Sequence, residues 1–296
     1  MNSQYIIQRP MATVNQVNAW SVQYIPYEPK DWRRKMRDEL RLAIDEISPD
    51  GNGLYAAYIS DSGQLCDVEN VLLYNIWASA FKTLSNNSLC FERGFGTVPL
   101  SNPDNLTMTH YYHYSQGNTF RLWKEDKILA SWQEITLSAL TGDSKPHLFW
   151  YALKIGGVKC SCNAVPPEKF GLDIQLNIPE AAKCNLTALI KPLLDGIISA
   201  FHQQSIPCEN IVLQRLSALT GSSVEKTERL LYEVVYPVLG ERKIVLAFKK
   251  GIIWNPGDDA CIACRVKVQR SVDNKSWSMD GRLFSVVSEN SPFIAP

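Results

Sequence analysis

The chain lacks an excess of either charge, with 30 Lys and Arg set against 30 Asp and Glu in 296 residues. A polybasic coat for nucleic acid or for a membrane surface is therefore not expected, and any cationic groove must be local. No apolar run reaches the roughly 20 residues of a membrane span. The opening residues have neither the basic start nor the apolar core of a signal peptide. The expectation is an intracellular, cytoplasmic protein with no membrane partner, whose eight cysteines stay reduced. The sequence also has no G-x-x-x-x-G-K-[ST] loop, no G-x-G-x-x-G turn and no G-x-S-x-G elbow. P-loop nucleotide hydrolysis, dinucleotide binding and an α/β-hydrolase triad are thus unsupported.

Metal chemistry on cysteine is weakly supplied. Cys261 and Cys264 have the spacing of a zinc knuckle, but they fall in a strand-like run, where positions i and i+3 point to opposite faces. Cys160 and Cys162 could share a face yet have no evident partners. His110 and His113 are three apart in an aromatic, strand-like context, which also separates them.

The hydrophobic pattern alternates between two periods. Residues 32–47 repeat at helical spacing, with Asp31 placed to cap them. Leu54 to Ile59 reads as a strand, and Val68 to Leu84 as a buried helix after Asp67. Thr119 to Trp123 and His147 to Ile155 read as strands, while Leu129 to Leu140 fits either period. Phe170 to Ile178 alternates with period two, a half-buried strand. Asn185 can cap a helix to about His202, with Pro192 inside it implying a kink or a fresh start. Glu209 to Leu219 and Ser222 to Val235 read as helices, and Lys243 to Phe248, Asp259 to Val268 and Arg282 to Val287 as strands. The sum is an α+β fold with mixed or antiparallel sheets packed with helices. A loose echo between Gly53-Leu54 and Gly171-Leu172, each followed by acidic residues and a buried helix, raises two similar halves, 1–160 and 161–296, the second with a helical insertion at about 205–240.

The best candidate for chemistry is a split set of carboxylates. Lys191-Pro192-Leu193-Leu194-Asp195-Gly196 opens one apolar run, and Asn255-Pro256-Gly257-Asp258-Asp259 opens a strand. Two or three convergent carboxylates suffice for Mg²⁺, which keeps several of its waters. These two segments resemble the core of RusA-type Holliday-junction resolvases, which carry K-P-D-x-D-N before a helix and D-D-x-x-V at a strand entrance. The resemblance implies a Mg²⁺-dependent endonuclease acting as a homodimer on branched DNA. It assigns Asp195, Asp258 and Asp259 as catalytic metal ligands. Leu193, Gly196 and Ser199 stand where that family has Asp, Asn and Lys. Lys191 would contact substrate phosphate. His202, seven residues beyond Asp195, would assist as a general base or simply suit the helix C-terminus. Asp67-Val68-Glu69-Asn70 fits the D-x-D-N pattern nearly as well, with Glu in place of the second Asp, and its plainer reading is a helix cap with a first-turn carboxylate. For Asp258 and Asp259 the plainer reading is a turn.

A second class of function uses none of this chemistry. The chain has eight Trp and twelve Tyr, and an exposed aromatic patch would make it a protein-interaction module of a bacterial or phage assembly.

Overall fold

The computed structural model describes residues 4–99, 108–161, 165–233 and 237–289. In chain order the strands are β1 (Tyr5–Gln8), β2 (Gln16–Ser21), β3 (Leu54–Ser60), β4 (Ser88–Phe95), β5 (His110–Gln116), β6 (Trp123–Leu137), β7 (Lys159–Cys160), β8 (Phe170–Pro179), β9 (Gln203–Gln204), β10 (Glu241–Arg242), β11 (Val245–Phe248), β12 (Gly251–Trp254), β13 (Cys261–Ser271) and β14 (Trp277–Ser288). The helices are α1 (Asp31–Asp45), α2 (Pro146–Ile155), α3 (Leu186–Ala200), α4 (Asn210–Thr220) and α5 (Val224–Tyr232). The class is α+β, as the mixed periodicities require.

Ten strands form one sheet in the order β1-β2-β5-β3-β4-β13-β8-β14-β6-β7. Its two flanks repeat one topology. In the first, β2 and β5 are antiparallel, as are β5 and β3, and β3 runs parallel to β4. In the second, β6 and β14 are antiparallel, as are β14 and β8, and β8 runs parallel to β13. The flanks meet at the antiparallel pair β4–β13. This repeat changes over between β5 and β6, earlier in the chain than residue 160. The changeover is pinned by Glu92 of β4, which is fully buried. Its carboxylate accepts from the Tyr55 hydroxyl at 2.7 Å and from the backbone N–H groups of Arg121, Leu122 and Trp123.

One face of the sheet carries the main core, where Met36 and Leu40 of α1, Phe149 and Trp150 of α2, and Leu189 and Leu193 of α3 pack on the strands. The other face differs between flanks. In the first it is covered by a smaller cluster around Tyr55, Ile59, Tyr111 and Leu122. This explains why β3 is apolar at nearly every position, since both of its faces are buried. In the second flank that face is open, and β8 alternates Leu172, Ile174 and Leu176 inward with Asp173, Gln175 and Asn177 outward.

Several local expectations need correction. The run His147–Ile155 is helical in α2, not a strand. Pro146 occupies the first turn, where its missing N–H costs nothing, and the short aromatic run carried no decisive period. The helix expected over Val68–Leu84 is broken into a π-helical turn at Asn70–Tyr74 and a 3-10 turn at Ala78–Phe81. Thr119–Trp123 is a connection that reaches β6 only at Trp123, and the ambiguous run from Leu129 belongs to β6 as far as Leu137. Asp31 is the first residue of α1 and makes no side-chain cap. Helix α3 continues through Pro192 without a fresh start. The expected end of a helix at Val235 and the thiol of Cys162 lie outside the described residues.

Gly196 has a packing reason to be glycine. A Cβ there would collide with the Pro146 carbonyl oxygen and the Phe149 side chain, where α3 crosses α2. Gly196→Ala is expected to lower stability by about 1–3 kcal/mol, read from the urea midpoint at unchanged slope. An unchanged midpoint would show that the crossing tolerates more space than the backbone separation indicates.

Candidate metal centre

The antiparallel β4–β13 pair decides where the site falls. Because β3 is parallel to β4, the exit of β3 and the entrance of β13 lie at the same end of the sheet. The β3 exit leads through Cys66 to Asp67 and Glu69, just before the π-helical turn. Such turns disturb the helical ladder and recur at functional sites. The β13 entrance is a short 3-10 turn, Asp258–Ala260, started by Gly257 in a left-handed conformation (φ +77°) that glycine adopts without strain. The turn reading of Asn255 to Asp259 is thus correct as far as local structure goes, and the turn also aims Asp258 inward.

Oxygens of Asp67, Glu69 and Asp258 lie within 4.8 Å of one another. Ligand oxygens on opposite sides of one Mg²⁺ are about 4.2 Å apart, and about 4.8 Å apart on Ca²⁺. The group therefore has the dimensions of a single divalent-cation site, and Mg²⁺ would need a modest closing of the cluster. This is a buried Asp/Glu/Asp cluster able to chelate a divalent metal.

Helix α3 brings a cation into the same space. The Lys191 ammonium is 2.9 Å from Glu69, 3.1 Å from Asp195 and 3.7 Å from Asp67, and it donates a short hydrogen bond to Asp258. Lys191 and Asp195 are one helical turn apart and face the cluster together. Four carboxylates thus surround one ammonium group. Asp195 Oδ1, although close to it, has no properly aligned hydrogen bond.

Burial sets the protonation. Glu69 is 1% exposed, and loss of solvation pushes its carboxyl up to about 8, with Asp258 and Asp67 adding to the effect against Lys191. Burial likewise raises Asp195 to about 6 against the pull of Lys191, and raises Asp67, with the Asp258 charge as a further cause. For Lys191, burial disfavours the ammonium, but Glu69, Asp195 and Asp258 outweigh it and hold the proton more firmly than usual.

Of the residues singled out in the sequence, Lys191, Asp195 and Asp258 come together here. Asp195 lies well inside α3 rather than at a helix entrance. Asp259 is not among the ion partners of Lys191 and acts on Asp67 and Cys66 only through its field. His202 is one residue past the C-cap of α3, about 10 Å beyond Asp195 by helical rise. Its Nδ1 meets the Gly240 carbonyl at 3.2 Å, and burial lowers its pKa to about 4, so it is neutral and sits behind the loop leading to Asp258. Asp67 and Glu69, which local reasoning assigned to a helix cap, are ligand candidates instead. The Asp67 carboxylate accepts from the Asn70 side chain at 2.7 Å, and no side chain caps the turn. The D-x-E-N spacing was the signal that could have found them.

Cys261 and Cys264 are both buried, because β13 is covered on both faces over its first four residues. Burial raises both thiols well above their ordinary range, so neither is poised as a thiolate ligand. His113 is buried in a network with Asn18 and Ser115. No helix among the described residues is long and apolar enough to cross a membrane. Compared with protein-family models, with curated proteins and with solved structures, the chain matches none.

Lys191→Met leaves buried carboxylates without their cation and is expected to cost on the order of 3 kcal/mol at pH 8. The pH dependence has a definite sign. A carboxyl whose folded pKa is raised binds its proton more tightly when folded, so its contribution is complete near pH 4 and is lost as pH rises through about 6 for Asp195 and about 8 for Glu69. The variant should therefore melt close to wild type at pH 5 and far below it at pH 8. Equal deficits at both pH values would contradict the charge assignment.

Proposed function

We propose that the protein is a Mg²⁺-dependent, nuclease-like enzyme that hydrolyses phosphodiesters with Asp67, Glu69 and Asp258 as its metal ligands. The observation that carries this reading is the convergence of those three oxygens, two from a helix entrance and one from a strand entrance. That pairing is also what the resemblance to RusA-type resolvases rests on, with Asp67-Val68-Glu69-Asn70 taking the part first given to the segment around Asp195. Bound there, a divalent cation would polarise a phosphoryl oxygen and lower the pKa of a water. Asp195, raised to about 6 and with Oδ1 lacking an aligned donor, is the group suited to accept a proton near neutral pH. Lys191, once an ion displaces it from the carboxylates, is the cation assigned to substrate phosphate. Branched DNA as the substrate and a homodimer as the working form follow from the resemblance alone.

One observation favours a second reading, a non-enzymatic protein-interaction module. The Lys191 ammonium already occupies the middle of the carboxylates and can serve as a permanent internal counter-ion.

Calorimetric titration with Mn²⁺ and Mg²⁺ separates the two. The enzyme reading expects one saturable ion per chain, at least tenfold weaker in Glu69→Gln and in Asp258→Asn, with divalent-dependent cleavage of branched or linear DNA. The absence of saturable binding in folded wild type would leave the internal counter-ion as the account of the cluster.

A further inference from the structure

The segment between α3 and β13 has no counterpart in the first flank, where β3 reaches β4 through short turns alone. It ends in a separate two-stranded hairpin of β11 and β12, paired from Val245–Trp254 to Phe248–Gly251 and closed by Lys249 and Lys250. The hairpin is not hydrogen-bonded into the large sheet. Arg215 of α4 seats its turn by donating to the Gly251 carbonyl at 2.7 Å.

Three features make this hairpin unusual. It is basic within a neutral chain, since residues 243–254 hold Lys243, Lys249 and Lys250 and no carboxylate. All three lysines are exposed, and none has an ion-pair partner among the described residues; the Lys249 ammonium lies over the Phe248 ring, 5.2 Å from its centre. Its tip presents Phe248, 50% exposed, with Ile253 of the opposite strand 45% exposed. Its turn places Lys249 at φ +48°, a position that glycine or asparagine fills without strain. A lysine held there is a departure from local preference of the kind found at functional positions.

The base of the hairpin is the metal-centre loop itself. Asn255 follows β12; its backbone N–H donates to the Ile244 carbonyl at 2.9 Å and its side-chain amide to the Lys243 carbonyl at 3.0 Å. Arg242 donates to the Asn255 carbonyl and side chain at 3.0 and 3.1 Å, and its guanidinium lies against Gly257, next to Asp258. The hairpin and the acidic turn therefore form one braced unit. An acidic cluster repels a phosphate backbone, and a substrate held near it needs cations close by.

We infer that the β11–β12 hairpin is a nucleic-acid grip, in which Lys249 and Lys250 hold backbone phosphates and Phe248 stacks on an unpaired base, placing a single-stranded or splayed segment beside the metal centre. The substrate class rests on the nuclease-like reading; the hairpin adds the element that holds it. Each lysine–phosphate contact to a single strand contributes about 0.7 to the dependence of log affinity on log salt. Stacking on an aromatic ring is tolerant of sequence and insensitive to salt.

The test is fluorescence anisotropy with a labelled single-stranded oligonucleotide and a forked duplex in EDTA, where no cleavage occurs. Wild type should bind, with affinity falling as salt rises. Lys249→Asn/Lys250→Asn, which suits the turn and keeps the fold, should bind at least tenfold more weakly with a salt slope smaller by about 1.4. Phe248→Ala should weaken binding several-fold at unchanged slope. Both variants should melt normally and titrate Mn²⁺ as wild type does. Equal affinity and slope in wild type and the lysine variant, or no binding by wild type, would overturn the grip. The ion titration would still decide the metal centre independently.

Discussion

The structure depends on how one end of the sheet accommodates a set of carboxylates that are mostly withdrawn from water, with Asp67 at its half-buried edge. Glu69 is almost wholly enclosed, and Asp67, Asp195 and Asp258 are gathered around the same point. Enclosed charge of one sign is costly unless a proton, an ammonium group or a metal ion offsets it. The first two offsets are visible. Glu69 retains its proton toward neutral pH, and Lys191 holds its own against the cost of burial. A divalent cation is the third, and it would have to take the space the Lys191 ammonium fills. Proton and ammonium share one set of oxygens, and a divalent cation would compete with both for them.

The repeated topology offers two equivalent junctions, and among the described residues only one of them gathers such a set. The two flanks are related by the β4–β13 pair, so each end of the sheet joins the exit of one flank's strand to the entrance of the other's. At one end, Asp67 and Glu69 meet Asp258. At the other, the exit of β8 faces the entrance of β4, where Asn87 accepts from Arg270, and no comparable acidic group converges there among the described residues. The site is therefore composite. It takes two carboxylates from the first flank, and takes Asp258, Asp195 and Lys191 from the second.

How much of this was legible in the sequence follows from burial and distance along the chain. Strand β8 was plain because one of its faces is wet, which imposes alternation. The helical spacing of Met36, Leu40, Ala43 and Ile44 was equally plain in α1. Helix α2 was misread because Leu148-Phe149-Trp150-Tyr151 is apolar all round, and only Pro146 pointed to a helix start. Lys191, Asp195 and Asp258 were legible through the resemblance of their two segments to the resolvase motifs, while the Pro-Gly turn ahead of Asp258 pointed only to a turn. Nothing local joined Asp258 to Glu69, because their meeting depends on the antiparallel pairing of two distant strands. His202 looked like a neighbour of Asp195 only while sequence distance stood in for geometry.

Diffraction from crystals soaked in Mn²⁺, with an anomalous difference map, tests the central claim most directly. The expected result is a single peak about 2.2 Å from oxygens of Asp67, Glu69 and Asp258, with the Lys191 ammonium swung out of the cluster toward solvent. A clean map showing Lys191 still bonded to Glu69 and Asp258, with no peak between them at saturating Mn²⁺, would contradict the claim. The cluster would then be a structural ion network closed by its own lysine.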